Sequence, residues 1–220
     1  MSERMVERVV DPVHAAKLGA MSMILMGIPQ SEQRVDAVAV FPGLGETWRV
    51  EQAVRSWEDK APNARHLLVA GTNPGERTYR RLDVPGLQLP PFNLRRTEGV
   101  LTQVEADNTP HQAEWLADQV EEGDIASFSL HVSPYHMLRA YCTTLKTFEK
   151  RGLDRVAIIP RPVNVAPGTV IPETGEDAVS MYNGEARRIE LYQAKGDVAT
   201  LDELQAHVDW MWQQPVLADA

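Results

Sequence analysis

The sequence predicts a single α/β domain built on a mostly parallel β-sheet with helices on both faces. Short apolar runs recur along the chain, and helical patterns several turns long separate them. Strands that alternate with helices in this way form parallel βαβ units. Strands that are apolar on both sides are expected inside a sheet that is covered on both faces. The length of 220 residues is ample for one hydrophobic core of this kind.

Five short apolar runs are the predicted strands. They occupy residues 36–41, 66–70, 100–104, 125–132 and 155–159. Runs of this length with little polar alternation are typical of buried strands. We therefore expect a sheet of about five strands, with each crossover right-handed.

Five helices are predicted around these strands. They cover residues 13–27, 47–60, 110–121, 135–150 and 201–212. The first helix follows Asp11 and Pro12, the pattern of an N-cap residue with proline at the first helical position.

The predicted domain spans residues 1–220, with the N-terminal helix within residues 1–30 packed on it and a helical C-terminal region over 187–220. Two stretches, 72–99 and 160–186, are proline-rich and irregular. Loops this long in a compact domain are usually lids, binding loops or disordered segments, and we expect the same here.

Composition excludes several classes of partner. The net charge is −9, so the chain has little long-range attraction for nucleic acid or for anionic lipid. The most apolar stretch, residues 18–28, is too short to span a bilayer and is expected to form a buried helix. The single cysteine, Cys142, forms no internal disulfide and is compatible with a reducing cytoplasm. We expect a cytoplasmic protein without a nucleic-acid or membrane partner.

The loop after the first strand is the first candidate ligand site, because ligands bind beyond the carboxyl ends of parallel strands. Gly43 and Gly45 let a backbone approach a ligand, and the helix behind them favours an anion. Glu46 lies in this loop, and Arg49, in the first helical turn, is expected to bind a carboxylate or phosphate. The loop does not match the dinucleotide motif Gly-x-Gly-x-x-Gly, because Trp48 occupies the third glycine position. The alternative to a ligand site is that the geometry of the strand–helix turn alone requires the glycines.

The loops after the second and third strands add polar residues. After the second strand come Gly71, Thr72 and Asn73, again suited to close backbone approach, or else an ordinary loop. After the third strand, the run Asp107 to Thr109 exceeds what helix capping needs, and Gln112 follows in the first turn. We predict that Asn108, Thr109 and Gln112 bind the ligand.

The loop after the fourth strand carries the sharpest chemistry. Ser133 is expected to cap the next helix. His136 and Arg139 share one face of that helix near its N-terminus, the end that favours anions. Arginine binds a phosphate or carboxylate there, and histidine moves a proton near neutral pH. A zinc site is disfavoured because His131 and His136 share no helix face. A nucleophilic Ser133 is disfavoured because the Gly-x-Ser-x-Gly elbow is missing.

Four blocks resemble the YdcF/SanA/ElyC-like bacterial family. They are the strand and glycine turn of residues 36–43, the second strand at 68–71, the polar stretch at 107–113, and the signature Ser-Pro-Tyr-His-Met-Leu-Arg-Ala at 133–140. The resemblance covers roughly residues 35–160, the expected core. It departs at Thr72, where the family has a second glycine, and at His111-Gln112, where it has Glu-Asn.

This resemblance implies a three-layer Rossmann-like fold with a ligand cleft at the strand ends. One member of the family is reported to bind S-adenosylmethionine, so this molecule is a candidate cofactor. The family's functional positions correspond to Gly43, Asn108, Thr109, Ser133, His136 and Arg139. The departures favour a specialised ligand.

Three functions fit these residues. The favoured one is an enzyme, a transferase or hydrolase, acting on a small anionic or nucleotide-like metabolite, with His136 as catalytic acid or base. The alternatives are a non-catalytic binder of a nucleotide or S-adenosylmethionine, in which His136 is structural, and an interaction protein whose cleft is vestigial.

Overall fold

Five parallel strands form one sheet in the order β3-β2-β1-β4-β5. The computed structural model describes residues 11–43, 45–71, 82–103, 106 and 108–217. The strands are β1 (Ala37–Val40), β2 (His66–Ala70), β3 (Val100–Gln103), β4 (Ser127–Val132) and β5 (Ala157–Pro162). This architecture confirms the predicted three-layer Rossmann-like α/β fold.

The helices are α1 (Pro12–Met26), α2 (Thr47–Asp59), α3 (Val84–Leu87), α4 (Thr109–Gly123), α5 (Pro134–Lys150), α6 (Ala178–Ala194) and α7 (Leu201–Met211). The Asp11 carboxylate accepts a hydrogen bond from the Val13 amide at 3.2 Å, so it is the predicted N-cap of α1. Among the described residues, no helix has both the length and the apolar character needed to cross a membrane.

Helices α2 and α5 cover opposite faces of the sheet. Side chains three apart on a strand point to opposite sides. On β4, Phe128 meets Phe148 of α5 with ring centroids 5.8 Å apart. Nε2 of His131 lies 2.7 Å from the Glu32 carboxylate, which accepts a hydrogen bond from Ser56 of α2 at 2.9 Å. The strands between these helices are therefore buried on both faces.

The last strand extends further than predicted, to Pro162 rather than residue 159. It pairs only with β4 and forms one edge of the sheet. The amides of Ala157 and Val163 donate to β4, so residues at odd positions face that neighbour. Pro160 and Pro162 fall at the alternate positions, where a missing N–H costs no ladder bond.

The stretch 160–186 is not irregular throughout, because α6 begins at Ala178 within it. The Asp177 carboxylate caps this helix by accepting from the Ser180 amide at 2.8 Å. Met181 and Ile189 are buried on one face of α6, which packs against α5. The helical C-terminal region thus starts before the predicted residue 187, since capping and apolar spacing outweigh the prolines that precede it.

The stretch 72–99 also contains regular structure. Residues 84–87 form the one-turn helix α3, capped by Asp83. Residues 72–81 lie outside the described part of the chain.

Candidate active site

A cleft opens where the order of the strands reverses. The chain runs from β1 outward to β2 and β3, then crosses to β4 on the other side of β1. In open parallel sheets this switch point is where ligands bind. The cleft has a volume of about 240 Å³. Its lining residues are Pro42, Gly43, Glu46, Arg49, Ala106, Asn108, Thr109, Gln112, Tyr135, His136, Arg139, Glu173, Met181, Glu185, Arg188 and Tyr192.

Most of the sequence-predicted site residues come together here. Those that line the cleft are Gly43, Glu46, Arg49, Asn108, Thr109, Gln112, His136 and Arg139. Gly45, Gly71 and Ser133 are not among the lining residues. Thr72 and Asn73 lie outside the described residues.

Gly45 and Gly71 allow close packing of the protein against itself. Both have positive φ, +75° and +98°. A Cβ at Gly45 would lie 2.5 Å from the Pro172 Cβ, and one at Gly71 would lie 2.6 Å from the Ala106 carbonyl oxygen. That these two glycines form a ligand floor stays a prediction, and the structure accounts for both glycines by their contacts with Pro172 and Ala106.

Arg49 is already paired with a carboxylate of its own loop. Its Nε and Nη2 donate to the two Glu46 oxygens at 2.8 and 2.6 Å, a bidentate bridge. Arg49 is 3% exposed and Glu46 2%. A Cβ at Gly43 would overlap Glu46, so glycine is required there to accommodate the pair. That Arg49 holds a ligand anion stays a prediction, and such an anion would compete with Glu46 for the guanidinium.

Ser133 occupies the predicted N-cap position of α5, but its side chain supports this ion pair. Its side chain makes no capping hydrogen bond. The hydroxyl donates to Glu46 at 2.6 Å and accepts from Arg49 Nε at 2.9 Å and Trp48 Nε1 at 3.1 Å. The hydroxyl oxygen accepts from Arg49 and Trp48, so it has no lone pair left for an amide of the first helical turn. The predicted N-cap position of Ser133 is therefore confirmed, while its side chain makes no capping hydrogen bond.

Tyr135, which the sequence analysis missed, completes the same network. Its hydroxyl donates to Glu46, and Arg49 Nη2 approaches that hydroxyl at 3.2 Å. Burial raises the pKa of Tyr135 to about 12, so the phenol keeps its proton. Glu46, Arg49 and Tyr135 line one wall of the cleft, and Ser133 supports them from behind. The charges of Glu46 and Arg49 in this wall neutralise each other.

His136 lies between a carboxylate and a hydroxyl group. Nδ1 is 3.1 Å from the Glu185 carboxylate, and Nε2 is 3.4 Å from Oγ1 of Thr109. Nδ1 also lies 3.2 Å from Nη2 of Arg139, a donor that already bonds the Glu185 carboxylate. With its proton on Nδ1, directed at Glu185, the imidazole keeps Nε2 as an acceptor. Burial, together with the charge of Arg139, lowers the pKa of His136 to about 4. The imidazole is therefore neutral at pH 7 and its Nε2 can take a proton.

Glu185 joins His136 to two arginines. Arg139 donates to it through Nε and through Nη2, the latter at 3.2 Å, and Arg188 Nη1 donates at 2.6 Å. Glu185 is 3% exposed. Burial alone would raise its pKa, but His136 and Arg139 hold it well below the usual range. Its charge is retained and balances the arginines.

Another wall comes from α6 and the segment before it, of which the sequence analysis treated residues 160–186 as irregular. Glu173 precedes α6, and Glu185 and Arg188 lie on it. Partial burial of the Glu173 carboxyl raises its pKa, and the nearby Glu46 adds to the rise. The cap at Asp177 and the apolar spacing of Met181 are the sequence signals that could have found this helix.

The polar residues of α4 have separate roles. Asn108 caps the helix by accepting from the His111 amide at 2.9 Å, while Gln112 donates to the Pro42 carbonyl at 3.4 Å. Thr109 Oγ1 accepts from Arg139 Nη1 at 3.0 Å. Within the described ranges, no cluster of three or more histidine, cysteine, aspartate or glutamate residues is arranged to hold a metal ion.

Comparison of the sequence with protein-family models and with curated proteins finds no match.

Proposed function

We propose that this chain is an enzyme that binds a small anionic or nucleotide-like metabolite in the cleft and uses His136 to transfer a proton in a group-transfer or hydrolysis reaction. The observation that carries the proposal is the neutral His136 imidazole, with Glu185 at Nδ1 and the Thr109 hydroxyl at Nε2. An oriented base beside a hydroxyl group is the recurring arrangement of acid–base catalysis.

The arginines of α5 and α6 support an anionic ligand. Arg188 is 45% exposed along its side chain, and Arg139 is 14% exposed. Both arginines line the cleft, although the Glu185 carboxylate bridges them. A phosphate or carboxylate placed between the guanidinium groups would add charge-assisted hydrogen bonds to those that Glu185 already accepts.

We also propose that the chain is a divergent member of the YdcF/SanA/ElyC-like family. The support is that the signature residues His136 and Arg139, together with Thr109, converge on one cleft. S-adenosylmethionine is one adenosyl ligand to test on this ground.

A non-catalytic binding protein is the second candidate. It is favoured by the pKa of His136, about 4, because a base is most effective when its pKa lies near the working pH. Under this alternative, the contacts of His136 with Glu185 and Arg139 stabilise the fold, and His136 transfers no proton. A bound metabolite that stays chemically unchanged would favour it.

The test is substrate profiling by mass spectrometry. Wild-type protein and the His136→Asn variant are incubated with a cell metabolite extract, and consumed and formed species are compared. Asparagine keeps a donor near Glu185 but lacks the Nε2 base. We expect turnover to fall about 100-fold or more in the variant.

The matched control is His66→Asn, at the opposite end of the sheet where β2 begins. It should leave turnover unchanged. Wild-type rates in His136→Asn, measured on a folded protein, would overturn the proposal. A rate that is constant above about pH 5 and falls toward pH 4 would identify His136 as the titrating base.

A further inference from the structure

We propose that Thr109 is the nucleophile of this cleft and that it accepts a phosphoryl group from a phosphate ester. The inference rests on the proposed function, because it takes His136 as the base. It adds a covalent intermediate and a substrate class to that function.

The hydroxyl of Thr109 is not needed to cap its own helix. Thr109 is the first residue of α4, a position next to the cap. The Asn108 side chain fills the capping role by accepting from the His111 amide at 2.9 Å. Thr109 Oγ1 therefore contacts the cleft side chains and not the helix end.

Its two hydrogen-bond partners are those that activate a hydroxyl group. Oγ1 accepts from Arg139 Nη1 at 3.0 Å, and it lies 3.4 Å from Nε2 of His136. The guanidinium stabilises negative charge on the oxygen, and the neutral imidazole is placed to take the proton. Glu185 is 3.1 Å from the other ring nitrogen and orients the base. Thr109, His136 and Glu185 thus form a nucleophile–base–carboxylate series.

The other hydroxyl groups beside the cleft are committed elsewhere. Ser133 and Tyr135 both donate their protons to Glu46, whose carboxylate is held by Arg49. Within the described residues, neither hydroxyl makes a hydrogen bond to the His136 imidazole. Thr109 is 6% exposed and lines the cleft, so a ligand bound there can reach its oxygen.

The positive charge of Arg139, whose Nη1 donates to Thr109 Oγ1, favours a phosphoryl group as the group that Thr109 attacks. In the first step, Thr109 Oγ1 attacks phosphorus and its proton passes to His136 Nε2. The bond from phosphorus to the ester oxygen breaks, and His136 returns the proton to the departing alkoxide. Arg139 stabilises the equatorial oxygens, since it already lies against the attacking oxygen.

In the second step, His136 Nε2 takes a proton from water, and the hydroxide attacks the phosphothreonine. The bond between phosphorus and Oγ1 breaks, and His136 gives the proton back to Thr109. The products are an alcohol and inorganic phosphate, and the enzyme is regenerated without any further reactant.

The test uses diisopropyl fluorophosphate, which phosphorylates activated hydroxyl groups with loss of fluoride and requires no knowledge of the substrate. We expect peptide mapping to find the adduct on Thr109 in the wild type. Thr109→Ser, which retains a hydroxyl group, should also be labelled. Thr109→Val keeps the shape of the side chain, and it should not be labelled at this position. Labelling of His136→Asn should be about 100-fold slower.

The two proposals fail in different ways. If Thr109 stays unlabelled, or if Thr109→Val turns over the metabolite found by profiling at the wild-type rate, the nucleophile is wrong. The base is still supported in that case, provided that His136→Asn is inactive. If His136→Asn is fully active, the proposed function fails. Melting curves of all variants establish that each one is folded.

Discussion

The carboxylate of Glu185 lies 3.1 Å from Nδ1 of His136, although the two residues are 49 positions apart in the sequence. His136 stands in the first turn of α5, directly after β4. Glu185 belongs to α6, which packs against α5 beside the cleft. The helix that follows the carboxyl end of β4 therefore supplies the base, and a later helix supplies the carboxylate that orients it.

Replacement of Glu185 by glutamine should weaken both the fold and the site. Glutamine can still accept a hydrogen bond from His136, but it no longer balances Arg139 and Arg188. Because Glu185 raises the pKa of His136, its loss should lower that pKa further and make the base weaker. We expect a loss of about 3 kcal/mol in the free energy of unfolding, measured by urea denaturation at pH 7.5.

The control for this change is Glu190→Gln on the exposed side of the same helix. It removes an equal charge from α6 without touching the cleft, and its unfolding free energy should change by less than about 0.5 kcal/mol. Equal effects of the two substitutions would mean that the bridge between Glu185 and Arg139 contributes nothing specific.

Glu46 and Arg49 should behave as one unit in a double-mutant cycle. Each is almost fully buried, so Glu46→Gln or Arg49→Met alone leaves one charge without its partner. Each single change should cost about 3 kcal/mol of unfolding free energy. The double variant should cost about 2 kcal/mol less than the sum, because no unpaired charge remains. Additive costs, measured by the same denaturation experiment, would contradict a direct pairing.

The sequence predicted the sheet and part of the site, for reasons visible in particular residues. Buried strands such as β2 are short apolar runs, and the positions of His136 and Arg139 follow from their place after β4. The pairing of Arg49 with Glu46 did not follow, since residue type alone does not say whether a cation faces ligand or protein. Side-chain geometry decides that question.

The orienting carboxylate was missed for a different reason. Glu185 lies after a proline-rich stretch, and nothing in its local sequence distinguishes it from the other acidic residues of this acidic chain. Its role depends on the packing of α6 against α5, a long-range contact that periodicity does not report. Conversely, the glycine pattern at Gly45 predicted a ligand contact where the structure has Pro172.

Acid should destabilise the protein through its buried histidines. Burial lowers the pKa of His207 to about 4, and it lowers the pKa values of His131 and His136 as well. An unfolded histidine has a pKa of about 6.5, so the unfolded state binds more protons as the pH falls from 6.5 toward 4. Stability contributed by the neutral imidazoles is present above this range and is lost within it.

His207→Phe should reduce this pH dependence. His207 packs between Tyr141 and Trp210, with ring centroids 6.2 and 5.5 Å away, so phenylalanine preserves an aromatic contact. Melting temperatures measured from pH 7.5 to pH 4 should fall less steeply in the variant than in the wild type. The difference at pH 7.5 gives the packing effect alone. Parallel curves would show that His207 does not titrate in this range.

Gly45→Ala should destabilise the protein more than Gly152→Ala, although the backbone is alike at both sites. The φ angles are +75° and +74°, so the strain of placing a Cβ on a left-handed residue is the same, about 1 kcal/mol. At Gly152 the new Cβ meets no atom within 4 Å, whereas at Gly45 it lies 2.5 Å from the Pro172 Cβ. This overlap should cost a further 1–3 kcal/mol, roughly the penalty of overpacking. Hydrogen exchange should also rise in residues 164–177, because the clash displaces Pro172 from the loop that follows β1. Equal unfolding free energies for the two variants would mean that Pro172 yields freely and that the glycine serves the turn alone.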